Sequence, residues 1–213
     1  WGYEIIESES EIYNNSELNS ENKLGWKPSL IYSNPYNEEK NAIYGDVSIH
    51  KRDIAFKDQN VSKLSRKKIL ALRRKIGIIF QDFQLLMDRS VADNLRFVMK
   101  ATGWKGKKKI DEEIEKLLSK VDMLDKSNAY PHLISGGEQQ RIAVARALIN
   151  DPELIIADEP TGNLDPETSE KIMGLIKSIL DDDKTVIMAT HDFDIINKFP
   201  GRIVKFDNKS IVN

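Results

Sequence analysis

The sequence predicts an α/β fold with a mostly parallel sheet flanked by helices, and three observations indicate it. Short apolar runs such as Leu154–Ala157 and Thr185–Ala189 alternate with stretches of helical period. These runs are almost continuously apolar, which is typical of strands covered on both faces. The chain's 213 residues suit one such domain with a sizeable core.

The first regular elements come after a change of composition near Ala42. Apolar residues at Leu64, Ile69 and Leu72 predict a basic helix over Ser62–Arg74. The apolar run after it, Ile76–Phe80, predicts a buried strand.

Helices and strands then alternate to the end of the chain. Periodic apolar positions predict helices over Ser90–Thr102, with Ser90 as N-cap, and from about Lys108 to Val121. A further helix is predicted over Gly136–Asn150, because Asp151-Pro152 would stop it. The remaining predicted elements are a helix at Pro166–Leu180, a short helix at Asp192–Phe199, and a hairpin of Arg202–Phe206 and Ser210–Val212 around Asp207-Asn208.

Residues 1–42 have a different character. They are crowded with Glu, Asn, Ser and Tyr and show weak apolar periodicity, which is typical of loop or poorly ordered chain. Glu4–Ile6 and Ser29–Tyr32 are the only strand candidates there. We therefore predict an atypical segment at residues 1–42 and a regular domain over 43–213.

Charge and composition exclude several classes of protein. A formal net charge of -2 argues against a nucleic-acid-binding domain, and the absence of cysteine excludes disulfides and thiolate metal sites. No apolar run approaches the roughly 20 residues that a membrane-spanning helix needs. These properties predict a soluble domain of the cytoplasm.

One motif opens a predicted helix: Ser135-Gly136-Gly137-Glu138-Gln139. Glycines at a helix start leave backbone N–H groups accessible, and the positive end of the helix dipole favours an anion there. Ser135 adds a hydroxyl group. An ordinary Ser N-cap followed by small residues is the alternative interpretation of this motif alone.

A second motif occurs about twenty residues later, where the apolar strand Leu154–Ala157 ends in Asp158 and Glu159. Phosphates and metals bind at the carboxyl ends of strands in open α/β sheets. Asp158 is therefore a candidate Mg²⁺ ligand, and Glu159 a candidate general base for an attacking water. A solvated strand end that happens to carry two acids is the alternative.

Three single residues occupy comparable places. His191 comes after the strand Thr185–Ala189 and could touch a γ-phosphate, and Gln81 ends the strand Ile76–Phe80, where it could reach the metal or the attacking water. Asp165, next to Pro166, is by itself a helix N-cap pattern.

Together these residues resemble the ATP-binding domain of ABC transporters. The resemblance identifies Ser135, Gly136, Gly137 and Gln139 as signature-motif residues, Asp158 and Glu159 as Walker B, Asp165 as the D-loop, His191 as the switch and Gln81 as the Q-loop. It implies a P-loop NTPase core with a small helical subdomain at about 82–134, ATP and Mg²⁺ as ligands, and ATP hydrolysis. It also implies a head-to-tail homodimer in which Ser135 and Gly137 of one copy contact the ATP that is bound to the other copy.

Within that family the sequence is similar to the cell-division ATPases of the FtsE type. The similarity rests on Phe80–Leu86, Asp88–Val91, Asp93-Asn94 and Gly103-Trp104-Lys105. It implies a cytoplasmic protein that is bound to the inner face of the membrane through an FtsX-like permease subunit, docked between Gln81 and the helix from Ser90. Lipoprotein-releasing or macrolide-type exporter ATPases, or a non-enzymatic ABC-like interaction module, are the alternatives.

The phosphate-binding P-loop, Gly-x-x-x-x-Gly-Lys-Ser/Thr, is not readable in this sequence. The nearest string, Gly45–Arg52, has His50 in place of the second glycine and Arg52 in place of the hydroxyl residue. An imidazole where phosphate must meet backbone would block the cradle. We therefore expect impaired ATP binding, with residues 1–42 arising from an altered or frame-shifted coding sequence or from natural degeneration.

Overall fold

The computed structural model describes residues 3–7, 55–56, 59–61, 64–180, 184–207 and 210–212. The chain divides into two compact units, one of residues 1–6 and 72–203 and one of residues 7–71 and 204–213. The strands are β1 (Tyr3–Glu7), β2 (Ala55–Phe56), β3 (Gln59–Asn60), β4 (Ile76–Ile79), β5 (Leu154–Asp158), β6 (Thr185–Ala189), β7 (Arg202–Asp207) and β8 (Ser210–Val212). The helices are α1 (Arg66–Arg74), α2 (Val91–Ala101), α3 (Lys107–Lys120), α4 (Gly136–Ala147), α5 (Pro166–Ser178) and α6 (Phe193–Lys198).

The first unit contains a parallel sheet in the order β4, β5, β6, β1. Ile79 pairs with Ala157, Asp158 with Ala189, and Ile6 also with Ala189. Parallel neighbours need a long crossover connection, and α5 supplies it between β5 and β6. The carboxyl ends of all four strands consequently lie along one edge of the sheet.

Helix α4 lies in the hydrophobic core of this unit. Its residues Ile142–Ala145 are fully buried, because apolar side chains occupy nearly every position of its middle turn. The strand β5 is buried along Leu154–Ala157, as expected for a strand covered on both faces. Together they form the centre of the hydrophobic core.

The region from 82 to 134 contains α2, α3 and two single turns of 3₁₀ helix at Leu124–Lys126 and Pro131–Leu133, and its being a separate subdomain stays a prediction. Ser90 caps α2 as predicted, since its side chain accepts a hydrogen bond from the backbone N–H of Asp93 at 3.2 Å. The buried side chain of Asn94 bonds the backbone of Leu86 in both directions, at 2.7 and 3.0 Å. This pair anchors the chain between β4 and α2.

In the second unit the described strands form two antiparallel pairs, β2 with β3 and β7 with β8. The second pair confirms the predicted hairpin around Asp207-Asn208. No helix in the part of the chain that the structure describes is long and apolar enough to cross a membrane.

Most predicted elements are confirmed, with differences at their ends. Helix α4 ends at Ala147 and not at Asn150, because the chain turns at Asp151, which has a φ of +48° and donates its backbone N–H to Leu148. Helix α5 likewise ends at Ser178, two residues before the predicted end. The strand at Glu4–Ile6 is present within β1, whereas Ser29–Tyr32 lies outside the described residues. The domain boundary at residue 42 stays a prediction.

Candidate functional site

The carboxyl edge of the parallel sheet brings three predicted site regions together. Gln81 comes after β4, Asp158 ends β5 with Glu159 next to it, and His191 lies two residues after β6. We call Asp158–Leu164 the Glu159 turn, Gln81–Arg89 the Gln81 loop, and Ser135–Gln139 the Ser135 start.

The Glu159 turn has an unusual backbone. Glu159 has a φ of +42°, a left-handed conformation that a residue with a Cβ rarely adopts. Its N–H donates to the carbonyl of Ala189 at 2.9 Å, and its own carbonyl accepts from Gly162 at 3.0 Å. Such a conformation persists only where its surroundings fix it, and it is common at functional sites.

Three groups of Thr190 and His191 form hydrogen bonds with the carboxylate of Glu159. The hydroxyl of Thr190 donates to Oε2 at 3.2 Å, and the backbone N–H of His191 donates to Oε1 at 2.9 Å. The imidazole Nδ1 of His191 lies 2.6 Å from the same Oε1. This hydrogen bond raises the pKa of His191 above its ordinary value of 6.5.

The carboxyl group of Asp158 lies in a different environment. Burial raises its pKa, and the carboxylates of Glu159 and Asp82 raise it further. A nearby cation would relieve this repulsion. The part of the chain that the structure describes holds no cluster of three His, Cys, Asp or Glu side chains able to bind a metal ion. The partly buried carboxyl group of Asp158 fits the chemistry of Mg²⁺, which takes one or two carboxylates and keeps several of its waters.

Gln81 approaches the Glu159 turn where Gly162 leaves room for it. A Cβ at Gly162 would lie 3.0 Å from Nε2 of Gln81 and 3.3 Å from Cβ of Glu159. The backbone carbonyl of Gln81 also accepts a hydrogen bond from the side chain of Asn163 at 3.0 Å. The structure thus places Gln81 beside the Glu159 turn, while its contact with a metal ion or an attacking water stays a prediction.

The Ser135 start forms a capping box in which both hydrogen bonds are present. The hydroxyl of Ser135 accepts from the N–H of Glu138 at 3.3 Å, and the N–H of Ser135 donates to the Glu138 carboxylate at 2.8 Å. That backbone hydrogen bond lowers the pKa of Glu138 below 4.5. A carboxylate of the chain itself therefore lies where the helix dipole favours an anion.

The two signature glycines differ in the space around them. A Cβ at Gly137 would meet the Thr168 side chain of α5 at 2.5 Å, whereas one at Gly136 would make ordinary contacts with Leu164 and Phe83. Gly137 therefore lets the start of α4 pack closely on α5.

Two other predicted ligand residues have structural partners. Asp165 caps α5 by accepting from the N–H of Thr168 at 3.0 Å, and hydrogen bonds from the side chain and backbone of Thr168 lower the pKa of Asp165. The Gln139 amide donates to the carbonyl of Ile134 at 3.3 Å. Within the described ranges, no hydrogen bond joins Asp165, Gln139 or Ser135 to Glu159 or His191.

The sequence interpretation missed two residues of α4 that reach these loops. Gln140 donates to the carbonyl of Pro160 at 2.6 Å, and Arg146 donates to the carbonyl of Phe83 at 2.8 Å and to that of Gln84. A polar residue inside the apolar run Ile142–Leu148 is the signal that could have revealed Arg146. Gln140 gives no such signal, because it continues a polar stretch.

Comparison with known proteins agrees with this arrangement. The family model described as ABC transporter matches residues 40–162. The cell division ATP-binding protein FtsE of Streptococcus pneumoniae is 38% identical over 171 residues, covering 80% of this chain and 74% of the relative. FtsE of Escherichia coli is 43% identical over 145 residues, covering 68% of this chain and 65% of the relative.

Among solved structures, a dimeric ATP-binding cassette in a post-hydrolysis state with ADP and Pi superposes with a TM-score of 0.65. It is 32% identical and covers 75% of this chain and 71% of its own. These matches, together with the edge formed by Gln81, Asp158, Glu159 and His191, show that the chain belongs to the ABC transporter family of ATP-binding proteins and is similar to its FtsE members.

Proposed function

We propose that this chain is the ATP-engaging subunit of a membrane-associated ABC complex of the FtsE/FtsX type, and that its own binding of ATP is impaired. The observation that carries the first part is the cluster of Glu159, Thr190 and His191 at the carboxyl edge of the sheet. It is the arrangement that hydrolysis of a nucleoside triphosphate would use.

Each residue of the cluster has a role in that reaction. Glu159 would accept a proton from the water that attacks the γ-phosphorus, yielding ADP and phosphate. Thr190 and His191 would hold the carboxylate of Glu159 in place for this transfer. Asp158 and Gln81 would hold Mg²⁺, which supplies positive charge to the phosphate oxygens.

The second part of the proposal is supported by the residues directly after each parallel strand. A P-loop begins at the carboxyl end of a strand and leads into a helix. Phe80-Gln81 comes after β4, Glu159-Pro160 after β5, Thr190-His191 after β6, and Ser8-Glu9-Ser10-Glu11 after β1. None of these sequences offers the glycines or the lysine of a phosphate cradle.

A head-to-tail homodimer would give the Ser135 start its function. Ser135 is exposed, and no side chain of the Glu159 turn bonds it in the described part of the chain. In the dimer, the Ser135 start would contact ATP that is bound to the other copy, through Ser135, Gly136, Gly137 and Gln139. Asp165 would lie at the same interface. A copy whose own cradle is impaired could still serve a partner subunit in this way.

The membrane partner would dock beside the Gln81 loop, on the cytoplasmic face of the membrane. Met87 and Phe97 are exposed apolar side chains at 54% and 46%, and the guanidinium of Arg89 lies 4.6 Å from the centre of the Phe97 ring. Exposed apolar groups beside polar ones are typical of interaction sites. Similarity to FtsE favours an FtsX-like permease as the occupant.

Titration of the purified chain with Mg-ATP in a calorimeter tests the impairment. We expect no saturable binding up to about 1 mM, whereas an FtsE relative that retains its P-loop should saturate in the same cell. Tight binding by this chain, with a normal unfolding transition, would contradict the proposal.

Co-purification with an FtsX-like subunit tests the docking surface. Phe97→Asp should lower recovery of the complex at least tenfold, because it places a charge in an apolar contact. Leu124→Asp is the matched control, since Leu124 is equally exposed at 47% but lies in the 3₁₀ turn after α3. Equal losses for both variants would count against this surface.

A further inference from the structure

Two polar side chains of helix α4, Gln140 and Arg146, start among apolar residues and form hydrogen bonds with two different loops. Gln140 is fully buried, and Arg146 lies among the buried residues Val144, Ala145 and Ala147. Burying polar groups is costly unless they are hydrogen-bonded, so the partners of these two side chains are informative.

Gln140 reaches the Glu159 turn. Its Nε2 donates to the carbonyl of Pro160 at 2.6 Å, at the residue directly after Glu159. The left-handed φ of Glu159, +42°, is a conformation that its neighbours must impose. The hydrogen bond from Gln140 fixes the turn from the side of α4, in addition to the bonds that β6 and Gly162 make to Glu159.

Arg146 reaches the Gln81 loop. Its guanidinium donates to the carbonyl of Phe83 at 2.8 Å and to the carbonyl of Gln84. Both of these residues are also left-handed, with φ values of +59° and +51°. The planar guanidinium can bond two carbonyls at once, which a lysine cannot do with the same geometry.

Both contacts start from one rigid element. Gln140 and Arg146 are six residues apart, which is about 9 Å along a helix. We propose that Gln140 and Arg146 are positioning residues, through which the helix that begins at Ser135 holds the Glu159 turn and the Gln81 loop in fixed positions relative to each other. A displacement of the Ser135 start would then reach both loops of the same copy.

Arg141 provides a natural comparison on the same helix. It also donates to a backbone carbonyl, that of Val121 at 3.1 Å, but this carbonyl belongs to the end of α3 and not to a loop of the candidate site. The two arginines therefore differ in their partners: Arg146 bonds a loop of the candidate site, and Arg141 bonds the end of α3.

Amide hydrogen exchange on the full chain tests the proposal without ATP. In Gln140→Met, the amides of Gly162 and His191, which bond the carbonyl and the carboxylate of Glu159, should exchange about 10-fold faster. Methionine preserves the side-chain volume, and Oε1 of Gln140 accepts no hydrogen bond from the described residues, so the fold should tolerate the change. Amides of the buried strand β5 should keep their protection.

Arg146→Lys and Arg141→Lys form the matched pair for the other loop. Arg146→Lys should speed exchange of the Leu86 amide about fivefold, with the Met123 amide unchanged. Arg141→Lys should leave both amides within about twofold of wild type, because a lysine can still donate to the single carbonyl of Val121.

Two results would overturn the proposal. Exchange within twofold of wild type at Gly162, His191 and Leu86 would show that the hydrogen bonds hold nothing in place. A uniform rise that includes β5 would show that Gln140 and Arg146 contribute only to global stability. If Gln140→Met does not fold, Gln140→Asn replaces it, because a side chain shorter by one methylene withdraws the donor from Pro160. The catalytic meaning rests on the proposed function, but these exchange rates do not, so either can fail alone.

Discussion

The Glu159 turn and the Ser135 start both match phosphate-facing motifs in the sequence, yet the structure builds them differently. At the Glu159 turn, side chains and backbone from two neighbouring strands meet, and the carboxylate has partners in Thr190 and His191. At the Ser135 start, the partners lie within a single helical turn, as Ser135 and Glu138 bond each other. The contacts of the Glu159 turn join residues far apart in the sequence, whereas those of the Ser135 start join residues three positions apart.

This difference indicates how each region can act. The Glu159 turn has its candidate catalytic groups within one copy, and under the proposed function a phosphate is brought to it. The Ser135 start is a self-contained exposed surface, so it can be presented to a ligand held elsewhere. Under the proposed function, this chain would serve ATP bound to a partner subunit through the Ser135 start, while its own binding of ATP is impaired.

The largest effect should come from the core beneath the Glu159 turn. Ile155→Ala removes a fully buried side chain of β5 and should lower the free energy of unfolding by about 3–4 kcal/mol. Ile134→Ala, just before Ser135 and 8% exposed, should cost about 2 kcal/mol, because its surroundings can relax toward solvent. Urea denaturation measures both. Equal costs would mean that the Ser135 start is as firmly assembled as the Glu159 turn.

The glycines of the two regions should respond in opposite directions. Gly162→Ala places a methyl group against Gln81 and Glu159, and should destabilise the fold by roughly 1–2 kcal/mol. Gly136→Ala meets only ordinary contacts at the first position of α4, so the higher helix propensity of alanine should make it neutral or stabilising by roughly 0.5 kcal/mol. Thermal unfolding of the two variants checks this, and a stabilising Gly162→Ala would contradict the close approach of Gln81.

The smallest expected effect is that of pH, because the Glu159 turn and the Ser135 start should lose stability at opposite ends of the pH range. His191 has a raised pKa, so its contribution to stability is present below 6.5 and is lost as pH rises through the raised value. Glu138 has a lowered pKa, so its contribution is present above 4.5 and is lost as pH falls through the lowered value. Alkaline pH should therefore loosen the Glu159 turn, and acid pH the Ser135 start.

NMR titration of the His191 imidazole and of the Ser135 amide monitors the two events. Glu159→Gln should bring the pKa of His191 down toward 6.5, since it removes the charge that stabilises the protonated ring. A His191 pKa at or below 6.5 in the unaltered chain would show that Glu159 and His191 are not in contact in solution.

The sequence predicts the sheet and the candidate edge well, because apolar runs and the residues that end them are local signals. The left-handed residues Phe83, Gln84 and Glu159 could not be predicted, since nothing in a non-glycine side chain indicates that conformation. The spacing of Ser135 and Glu138 is the Ser-x-x-Glu pattern of a capping box, so this local feature can be predicted from the sequence. The contact of Gln140 with Pro160 joins residues twenty positions apart and depends on how α4 packs against β4 and α5.

ATP turnover by the purified chain tests the central claim most directly. We predict that phosphate release stays at the level of the Glu159→Gln variant, with Glu167→Gln as a matched carboxylate control at the exposed start of α5. We also predict turnover when the chain is mixed with a dimerising family member that retains a P-loop but has an inactive signature motif. Turnover by this chain alone, abolished by Glu159→Gln and not by Glu167→Gln, would contradict the claim that it lacks a working phosphate cradle.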